Sequence, residues 1–464
     1  MITNTTTIRL EIEKGIRQKG HSLSSFGKQA GINRGIISGI LNGNPPKSIS
    51  IRQLDLMAEA LGHAEGWMYE YYVDECFINE KADWRRIKAF LLRCTEIGRY
   101  DCIQEVLDRL MEDLNNTISI FGLAEELYAE GKVQESLPFY ECVIENEKHQ
   151  HSERLAISHY RVFRASIGEN IEKSFRAAIR FEPYRNRLPE NIMLDALLQL
   201  SNVYYTLQDW KIMEYCADEL QLLSKAIYES SKDNINIKSV IGDTERHLVV
   251  YYGQGYLIKS VALEFQQRYE EAKNYIKCYE DLSWFENLND LGMSEVNKFK
   301  MFAIANKHTL NLLMGNFGHL KEYVSFVKDK PDEILPCLIT LTEAANKYNF
   351  DINEIINGFP EYVNQETLKI DDTESLNISR YLVLYYQLSI YYFRNNQYKV
   401  GINYILKSFK ISIHIYNKNR IIDCISLFER FKSYASEEQK KDYELTVMEV
   451  NKDAEIFSLN GTNC

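Results

Sequence analysis

The chain has 464 residues, of which 45% are hydrophobic and 26% charged, and its formal net charge is −12. This length exceeds one compact core, and no run of eighteen uncharged apolar residues or apolar N-terminal stretch indicates a membrane span or a signal peptide. We therefore expect a cytoplasmic protein of more than one domain. Its nine cysteines are scattered without a Cys-x-x-Cys pair, which indicates reduced thiols, mostly in the core.

The segment from Ser22 to Gly43 predicts two short helices joined by a tight turn. Ser22 is placed to cap the first helix, Gly31 to end it in a left-handed conformation, and Asn33 to cap the second. Such a turn between short helices is typical of a DNA-reading helix-turn-helix. Apolar residues at helical spacing predict a shared core of Ile12, Ile16, Phe26, Ala30, Ile32, Ile37, Ile40, Leu54, Met57 and Leu61.

The second helix of this pair leaves a polar, low-profile face whose small residues, Gly35 and Gly39, allow close approach to base edges. The predicted DNA-contacting residues are Ser22, Ser24, Lys28, Asn33, Arg34, Gly35, Ser38, Asn42 and Lys47. Residues 1–50 hold seven Lys or Arg and two acidic residues, a net charge of +5, so residues 51–464 sum to −17. Double-stranded DNA attracts only the basic N-terminal part.

The pattern from Ser22 to Gly43, continued by residues 51–62, resembles the Cro/repressor-like helix-turn-helix domain of bacterial regulators. It departs from that family at Leu23, where a contacting Gln is usual, and at Leu41, where an acidic residue is usual. We assign this domain to residues 1–65.

Residues 66–80 are predicted to form a linker helix, with Trp67, Tyr71 and Tyr72 as anchors. A loose linker would be rich in Gly and Ser, and this segment is not. We expect it to dock the N-terminal domain on the following repeats or on a partner subunit.

Residues 81–457 repeat one theme, an amphipathic helical hairpin whose clearest copy spans residues 123–145. One hairpin cannot bury its own apolar stripe, so neighbours stack into a superhelix. Small residues three positions after the turn aromatic (Ser136, Ala272 and Gly401) resemble the tetratricopeptide repeat. The predicted fold is therefore all-α, a helix-turn-helix domain followed by a tetratricopeptide-like right-handed α-solenoid. The other turns centre on Gly98–Tyr100, Gly168, Asp209–Trp210, Arg268–Tyr269, Asn316–Phe317, Asn349–Phe350 and Asn396–Tyr398.

Within this region three further local features are predicted. Residues 237–268 are expected to form one long helix, and Gly253 and Gly255 to mark close helix contacts. Tyr140, Tyr275 and Tyr279 are expected at knob positions of packed helices. Residues 458–464 are expected to be a frayed tail.

Together these parts resemble the peptide-pheromone receptors of Gram-positive bacteria called RRNPP regulators, which include the arbitrium receptors of temperate phages. The resemblance covers nearly the whole chain in architecture, and its motif content is specific in residues 8–62. It implies a cytoplasmic transcription factor whose concave groove binds a short signalling oligopeptide. It also implies a homodimer on a palindromic DNA operator.

Inner-face positions of the repeats supply candidate ligand contacts, because Asn and Gln side chains can hold an extended peptide backbone. Arg246, His247 and Arg380 can meet a peptide carboxylate, and Asp195 or Glu264 its amino terminus. The alternative is that these side chains satisfy helix ends or neighbouring charges. The predicted peptide-binding residues are Asp195, Asn202, Arg246, His247, Asn306, Thr309, Arg380 and Gln387, with Val383 and Ile390 nearby.

No phosphate-binding loop, nucleophile elbow or His-Glu-x-x-His motif occurs, and His149 and His151 lie in a polar stretch without zinc spacing. We expect no enzyme activity, no cofactor and no metal. Three functions stay open: a peptide-gated DNA-binding regulator, a regulator whose repeats bind a protein partner such as a response regulator, and a repressor whose repeats only oligomerise. The first is preferred because the repeat region is much longer than dimerisation requires.

Overall fold

The structure is a computed structural model that describes residues 7–78, 81–147, 152–168, 171–233, 244–363, 375–415 and 417–459. Within these residues it is helical apart from one short hairpin of two-residue strands, so the predicted all-α class is confirmed. The chain divides into two compact units, residues 1–165 and 166–464. This division follows neither residue 65 nor residue 80, and the domain boundaries drawn from the sequence stay predictions.

Within its described residues the first unit contains nine complete α-helices, one short 3-10 helix (Leu114–Asn116) and one antiparallel hairpin, and a tenth α-helix runs one residue past the division. The helices are α1 (Ile8–Gln18), α2 (Leu23–Ala30), α3 (Arg34–Asn42), α4 (Ile51–Leu61), α5 (Tyr69–Glu75), α6 (Trp84–Ile97), α7 (Tyr100–Leu110), α8 (Thr117–Ala129), α9 (Val133–Asn146) and α10 (Glu153–Ser166). The hairpin pairs β1 (Phe77–Ile78) with β2 (Lys81–Ala82).

The N-terminal four helices share one apolar core. All ten core residues predicted for this region are buried, and Ile12, Phe26 and Met57 are fully enclosed. The core reaches beyond these helices, because Ile8 to Val143 contribute to a single buried cluster. The N-terminal helices therefore pack continuously against α5 and the helices that follow it.

The linker helix is shorter than predicted, and the prediction that Tyr71 anchors it is wrong. Helix α5 spans seven residues, and after it Phe77–Ile78 pairs with Lys81–Ala82 as a strand hairpin instead of continuing the helix. Tyr69 and Tyr72 are fully buried, whereas Tyr71 is exposed and Trp67 is partly buried. The helical register decides this, since Tyr69 and Tyr72 lie three residues apart on one face.

The second unit is built from successive helices that pack on their neighbours in the chain. They are α11 (Ile171–Phe181), α12 (Glu190–Leu207), α13 (Trp210–Asp233), α14 (Leu248–Phe265), α15 (Tyr269–Tyr279), α16 (Asp290–Leu313), α17 (Leu320–Val327), α18 (Pro331–Tyr348), α19 (Asn353–Asn357), α20 (Pro360–Val363), α21 (Ser375–Arg394), α22 (Tyr398–His414), α23 (Lys418–Phe431) and α24 (Glu437–Leu459).

The helix ends in this unit fall at the predicted turns. Gln208, Gln267, Asn349 and Asn396 take left-handed conformations between consecutive helices, the usual way to stop a helix and reverse the chain. The small residues expected at the hairpin contacts are buried, and a Cβ on Gly401 would lie 2.7 Å from the Phe393 ring. Tight helix pairs therefore recur along the unit.

The long helix predicted over residues 237–268 is wrong in its described part. Residues 244–247 are not helical, and α14 begins at Leu248 with His247 as its cap. A histidine ring nitrogen that accepts a helix N–H starts a new helix here, which apolar periodicity does not reveal. Residues 237–243 of that prediction lie outside the described residues, as do residues 460–464 of the predicted tail, and α24 extends to Leu459.

Close helix contacts occur at both glycines of α14, as predicted. A Cβ on Gly253 would lie 2.4 Å from the Phe299 ring, and one on Gly255 would lie 2.8 Å from the side chain of Gln221. Tyr140 and Tyr279 are fully buried, whereas Tyr275 is only half-buried.

The described cysteines and helices carry two simpler findings. Eight cysteines are free thiols, and all except Cys278 are buried. Among the described helices, none is both long and apolar enough to cross a membrane.

Candidate nucleic-acid interface and polar cluster

A turn of three residues, 31–33, joins helices α2 and α3. The helix-capping roles predicted for Ser22, Gly31 and Asn33 are confirmed. The Ser22 hydroxyl accepts a hydrogen bond from the Ser25 backbone N–H, and Gly31 has a φ of 65°. Asn33 Oδ1 accepts from the backbone N–H of Gly35 at 2.7 Å. Helix α2 therefore starts and stops, and α3 starts, through contacts within a few residues.

A close contact between α2 and α3, at Gly27, was not predicted from the sequence. A Cβ at this position would lie 2.6 Å from the Ile32 carbonyl oxygen and 3.4 Å from Ile37 Cδ1. The available signal was the glycine itself, because a helix interior disfavours glycine unless packing requires it.

The predicted DNA-contacting residues are accessible around α3. Ser22, Ser24, Lys28, Asn33, Arg34, Gly35, Asn42 and Lys47 are exposed, and Ser38 is half-buried. Ile36 is 38% exposed on the same helix and was missed by the sequence prediction. An exposed aliphatic side chain on such a face can contact a thymine methyl group.

Lys47 is brought against α3 by the backbone. Its N–H donates to the Gly39 carbonyl oxygen at 2.8 Å. Its side chain lies across Gly39, where an added Cβ would meet Lys47 Cδ at 2.9 Å. Because residue 39 has no side chain, the aliphatic part of the Lys47 side chain can pack beside the exposed face of α3.

The cations near α3 differ in their partners from those on α1. Lys14 and Arg17 lie 3.6 Å from the carboxylates of Glu11 and Glu13. By contrast, three exposed cations lie near α3, namely Lys28, Arg34 and Lys47. No carboxylate in the described part of the chain lies within 4.0 Å of them. Unpaired positive charge beside a polar helix face is suited to phosphate contact.

In the second unit, two predicted ligand contacts lie next to each other. Arg246 Nε lies 3.8 Å from Asp195 Oδ1, and Asp195 is buried. The Tyr251 hydroxyl accepts from the Arg246 backbone N–H at 3.2 Å. Burial raises the pKa of Tyr251, and the charge of Asp195 adds to this. Asp195 and Arg246 therefore partly satisfy each other.

Three other predicted contacts take part in packing. His247 caps α14 through Nδ1, which accepts from the Val249 N–H at 3.2 Å. Asn306 Nδ2 donates to the Tyr279 hydroxyl at 2.8 Å. The hydroxyls of Thr309 and Tyr323, both buried, lie 3.1 Å apart. Asn202, by contrast, is exposed on α12.

The remaining predicted contacts, Arg380 and Gln387, lie on α21, which packs against α18. Asn346 of α18 donates through Nδ2 to the Gln387 carbonyl oxygen at 2.9 Å and to Gln387 Oε1 at 3.0 Å. Asn346 Oδ1 is buried and accepts no hydrogen bond from any described residue. A buried amide oxygen without a donor is uncommon and offers an acceptor to a ligand or to water.

Two half-buried glutamates in this unit, Glu264 and Glu343, have raised pKa values. Burial raises the pKa of Glu264 to about 8, and the negative charge of Glu343 adds to the rise. Burial also raises the pKa of Glu343, with Lys347 opposing it. Neither carboxylate has a hydrogen bond or an ion pair among the described residues. A cation placed here could therefore form an ion pair and donate a hydrogen bond to either carboxylate.

An aromatic group lies close to these charges. The Trp210 and Phe265 rings stack at 4.1 Å, and Tyr205 contacts them edge-on at 5.7 and 5.9 Å. Burial raises the pKa of Tyr205, an effect that Arg380 opposes and Glu264 increases. Tyr205, Glu264, Glu343 and Arg380, from α12, α14, α18 and α21, are thus linked electrostatically. We call these four residues, together with the Asn346–Gln387 pair on α18 and α21, the polar cluster.

Two further observations concern metal-ligating groups and thiols in the described residues. No group of three His, Cys, Asp or Glu is placed there to hold a metal ion. Burial raises the pKa of Cys76 and Cys216 to about 12, which disfavours the thiolate. His149 and His151 lie outside the described residues. No known family model matches the chain, and no curated protein is detectably similar to it.

Proposed function

We propose that this protein is a cytoplasmic DNA-binding transcriptional regulator whose repeat region binds a short signalling oligopeptide. Residues 1–65 form its helix-turn-helix domain, and residues 81–457 form a tetratricopeptide-like right-handed superhelix. Two subunits place their α3 helices on the half-sites of a palindromic operator, about 34 Å apart. Peptide binding changes the preferred arrangement of the dimer and thereby its affinity for the operator.

The observation that supports DNA binding best is the exposed face of α3. It combines a locally capped helix, small residues, and three cations without carboxylate partners in the described part of the chain. Phosphate contacts by Lys28 and Lys47 supply affinity, while Arg34 and Ser38 contact base edges.

Selection of bound duplexes from a random DNA library tests this function. We expect the wild-type protein to enrich one palindromic sequence. Arg34→Ala should weaken binding to it by about 1 to 3 kcal/mol. Arg17→Ala is the matched control, because Arg17 is exposed, lies on α1 and pairs with Glu13. Equal affinities for the two variants would remove the assignment of α3, and no enriched sequence would remove DNA binding.

The peptide site is proposed at the polar cluster. Asp195 already has Arg246 as a partner, so Glu264 is the better receptor for a peptide amino group. Asn346 Oδ1 and Gln387 supply amide groups for the peptide backbone, and Arg380 faces its carboxylate. Ionisation of Glu264 by an incoming ammonium group links binding to proton release.

Calorimetric titration with synthetic C-terminal fragments of small secreted peptides encoded beside the gene tests this site. We expect one fragment to bind and to change operator affinity. Glu264→Gln, or acetylation of the fragment's amino terminus, should each weaken its binding by about tenfold. Glu270→Gln is the control, because Glu270 is exposed on α15. If no fragment binds while DNA binding is intact, a protein partner or an oligomerisation role for the repeats is favoured instead.

A further inference from the structure

A single guanidinium group joins three parts of the first unit. Arg9 of α1 donates through Nε to the Ile40 carbonyl oxygen at 3.2 Å and through Nη2 to the Lys47 carbonyl oxygen at 3.1 Å. Its Nη1 and Nη2 also donate to the two carboxylate oxygens of Glu75, with Nη2 and Oε2 3.1 Å apart. Arg9 therefore connects the end of α3, the loop that carries Lys47, and helix α5.

The Arg9–Glu75 pair is not an ordinary surface ion pair. The side chains of Arg9 and Glu75 are only 23% and 14% exposed. Both oxygens of the carboxylate accept from the guanidinium, the fork geometry that Lys cannot reproduce. Such a pair fixes orientation as well as distance, whereas exposed pairs contribute little.

Two further hydrogen bonds also join the segment between α3 and α4 to the helices that follow it. The Tyr72 hydroxyl of α5 donates to the Ile49 carbonyl oxygen at 2.9 Å, and Arg86 Nη2 of α6 donates to Ser48 Oγ at 2.7 Å. Ile49 and Tyr72 also belong to the continuous buried core. The segment between α3 and α4 is therefore held against α5 and α6 by side chains on both.

We propose that Arg9 and Glu75 are positioning residues for DNA recognition, which hold α3 and the Lys47 loop at one orientation to the helices that follow. This inference rests on the DNA-binding function proposed above. In a dimer each α3 is carried by the rest of its subunit. A fixed junction therefore allows one separation of the two α3 helices, and a loose junction allows several.

The spacing of half-sites tests the inference, because a purely stabilising contact would not change it. Glu75→Gln removes the charge that holds Arg9. Asp74→Asn is the matched control, because Asp74 lies on the same helix, is 81% exposed and pairs with Arg109 on α7. Affinity is measured for the selected operator and for versions with its half-sites moved by about one or two base pairs, and circular dichroism verifies folding.

We expect the wild type and Asp74→Asn to prefer one spacing strongly. Glu75→Gln should bind that operator about tenfold more weakly and accept the other spacings nearly as well. A Glu75→Gln profile equal to that of Asp74→Asn would overturn the inference, as would a wild type indifferent to spacing. A wild type that selects no DNA would overturn it together with the proposed function, which is a distinguishable result.

A second variant keeps the test decisive if Glu75→Gln does not fold. Glu75→Asp retains the negative charge and the helix but withdraws the carboxylate from Arg9. We expect a folded protein whose spacing preference is broadened relative to the wild type. A folded Glu75→Asp protein with the wild-type profile would contradict a positioning role.

Discussion

The α3 face and the polar cluster both contain charged side chains without charged partners in the described residues. The two sites differ in how far water reaches these side chains. Arg34 and Lys47 are exposed, whereas Glu264 and Glu343 are half-buried. Water solvates the exposed cations on α3 and its neighbouring loop, so their charge costs little desolvation before any partner arrives. The two glutamates lose solvation, and their pKa values rise.

This difference indicates two modes of recognition. A charged, solvated face attracts a polyanion over a distance and in a salt-dependent way. A desolvated carboxyl group gives little long-range attraction, but it gains strongly from a cation that enters its site. Selective binding of a small ligand is therefore better served by the polar cluster.

The largest expected effect concerns the rigid support of α3. Gly27→Ala would place a Cβ 2.6 Å from the Ile32 carbonyl oxygen, so the turn that leads into α3 must move away from α2. We expect a loss of about 2 kcal/mol in the free energy of unfolding, measured by urea denaturation. Gly122→Ala is the control, because Gly122 lies inside α8 with no atom within 4 Å of an added Cβ.

Gly122→Ala should change the free energy of unfolding in the opposite direction. Alanine is favoured over glycine in a helix interior by about 0.5 to 1 kcal/mol, so Gly122→Ala should stabilise. If Gly27→Ala also stabilised the protein, the close approach of α2 and α3 would not hold.

The second prediction concerns pH and the polar cluster. Glu264 ionises near its ordinary pKa of 4.5 in the unfolded chain but only near pH 8 in the folded protein. The folded state thus binds the extra proton, and stability falls as pH rises through this window. Glu264→Gln removes the charge, so it should stabilise the protein at pH 8 relative to the wild type and change little at pH 4.5.

Thermal unfolding of both proteins at several pH values measures this effect. Glu343 also raises the pKa of Glu264, and the charge of Glu264 in turn raises the pKa values of the tyrosines at positions 205, 269 and 279. Their own titration is retained in the variant, so only the difference between the two proteins reports on Glu264. Parallel pH profiles would mean that this carboxyl group is solvated in the folded protein.

The smallest expected effect separates capping from base contact at Asn33. Asn33→Ala removes the acceptor for the Gly35 N–H and should lower stability by about 1 kcal/mol. Asn33→Ser keeps a capping oxygen, so its stability should stay near that of the wild type. If Asn33→Ser still binds the operator weakly, Asn33 contacts DNA; if its affinity is normal, the residue acts through the cap alone.

Much of the N-terminal region follows from short-range patterns. Ser22, Gly31 and Asn33 have the predicted roles because capping depends on partners two or three residues away. The buried core follows from apolar periodicity in the same way. The turns at Asn349 and Asn396 are likewise local.

The contacts that join distant segments could not be predicted from the sequence. Tyr69 replaces Tyr71 as an anchor because the packing of α5 on α4 and α6 selects one face of a helix rich in tyrosine. The start of α14 was missed because His247 interrupts an apolar run.

The sequence by itself determined the all-α class, the start and end of α2, the start of α3, and which polar side chains of α3 stay outside the core, since each depends on neighbours within about one or two helical turns. Tertiary structure decided the partners of charged groups: Arg9 with Glu75, Asp195 with Arg246, and Glu264 with no cation among the described residues. The physical reason is that solvation and pairing depend on segments far apart in the chain, and spacing along a sequence carries no measure of either.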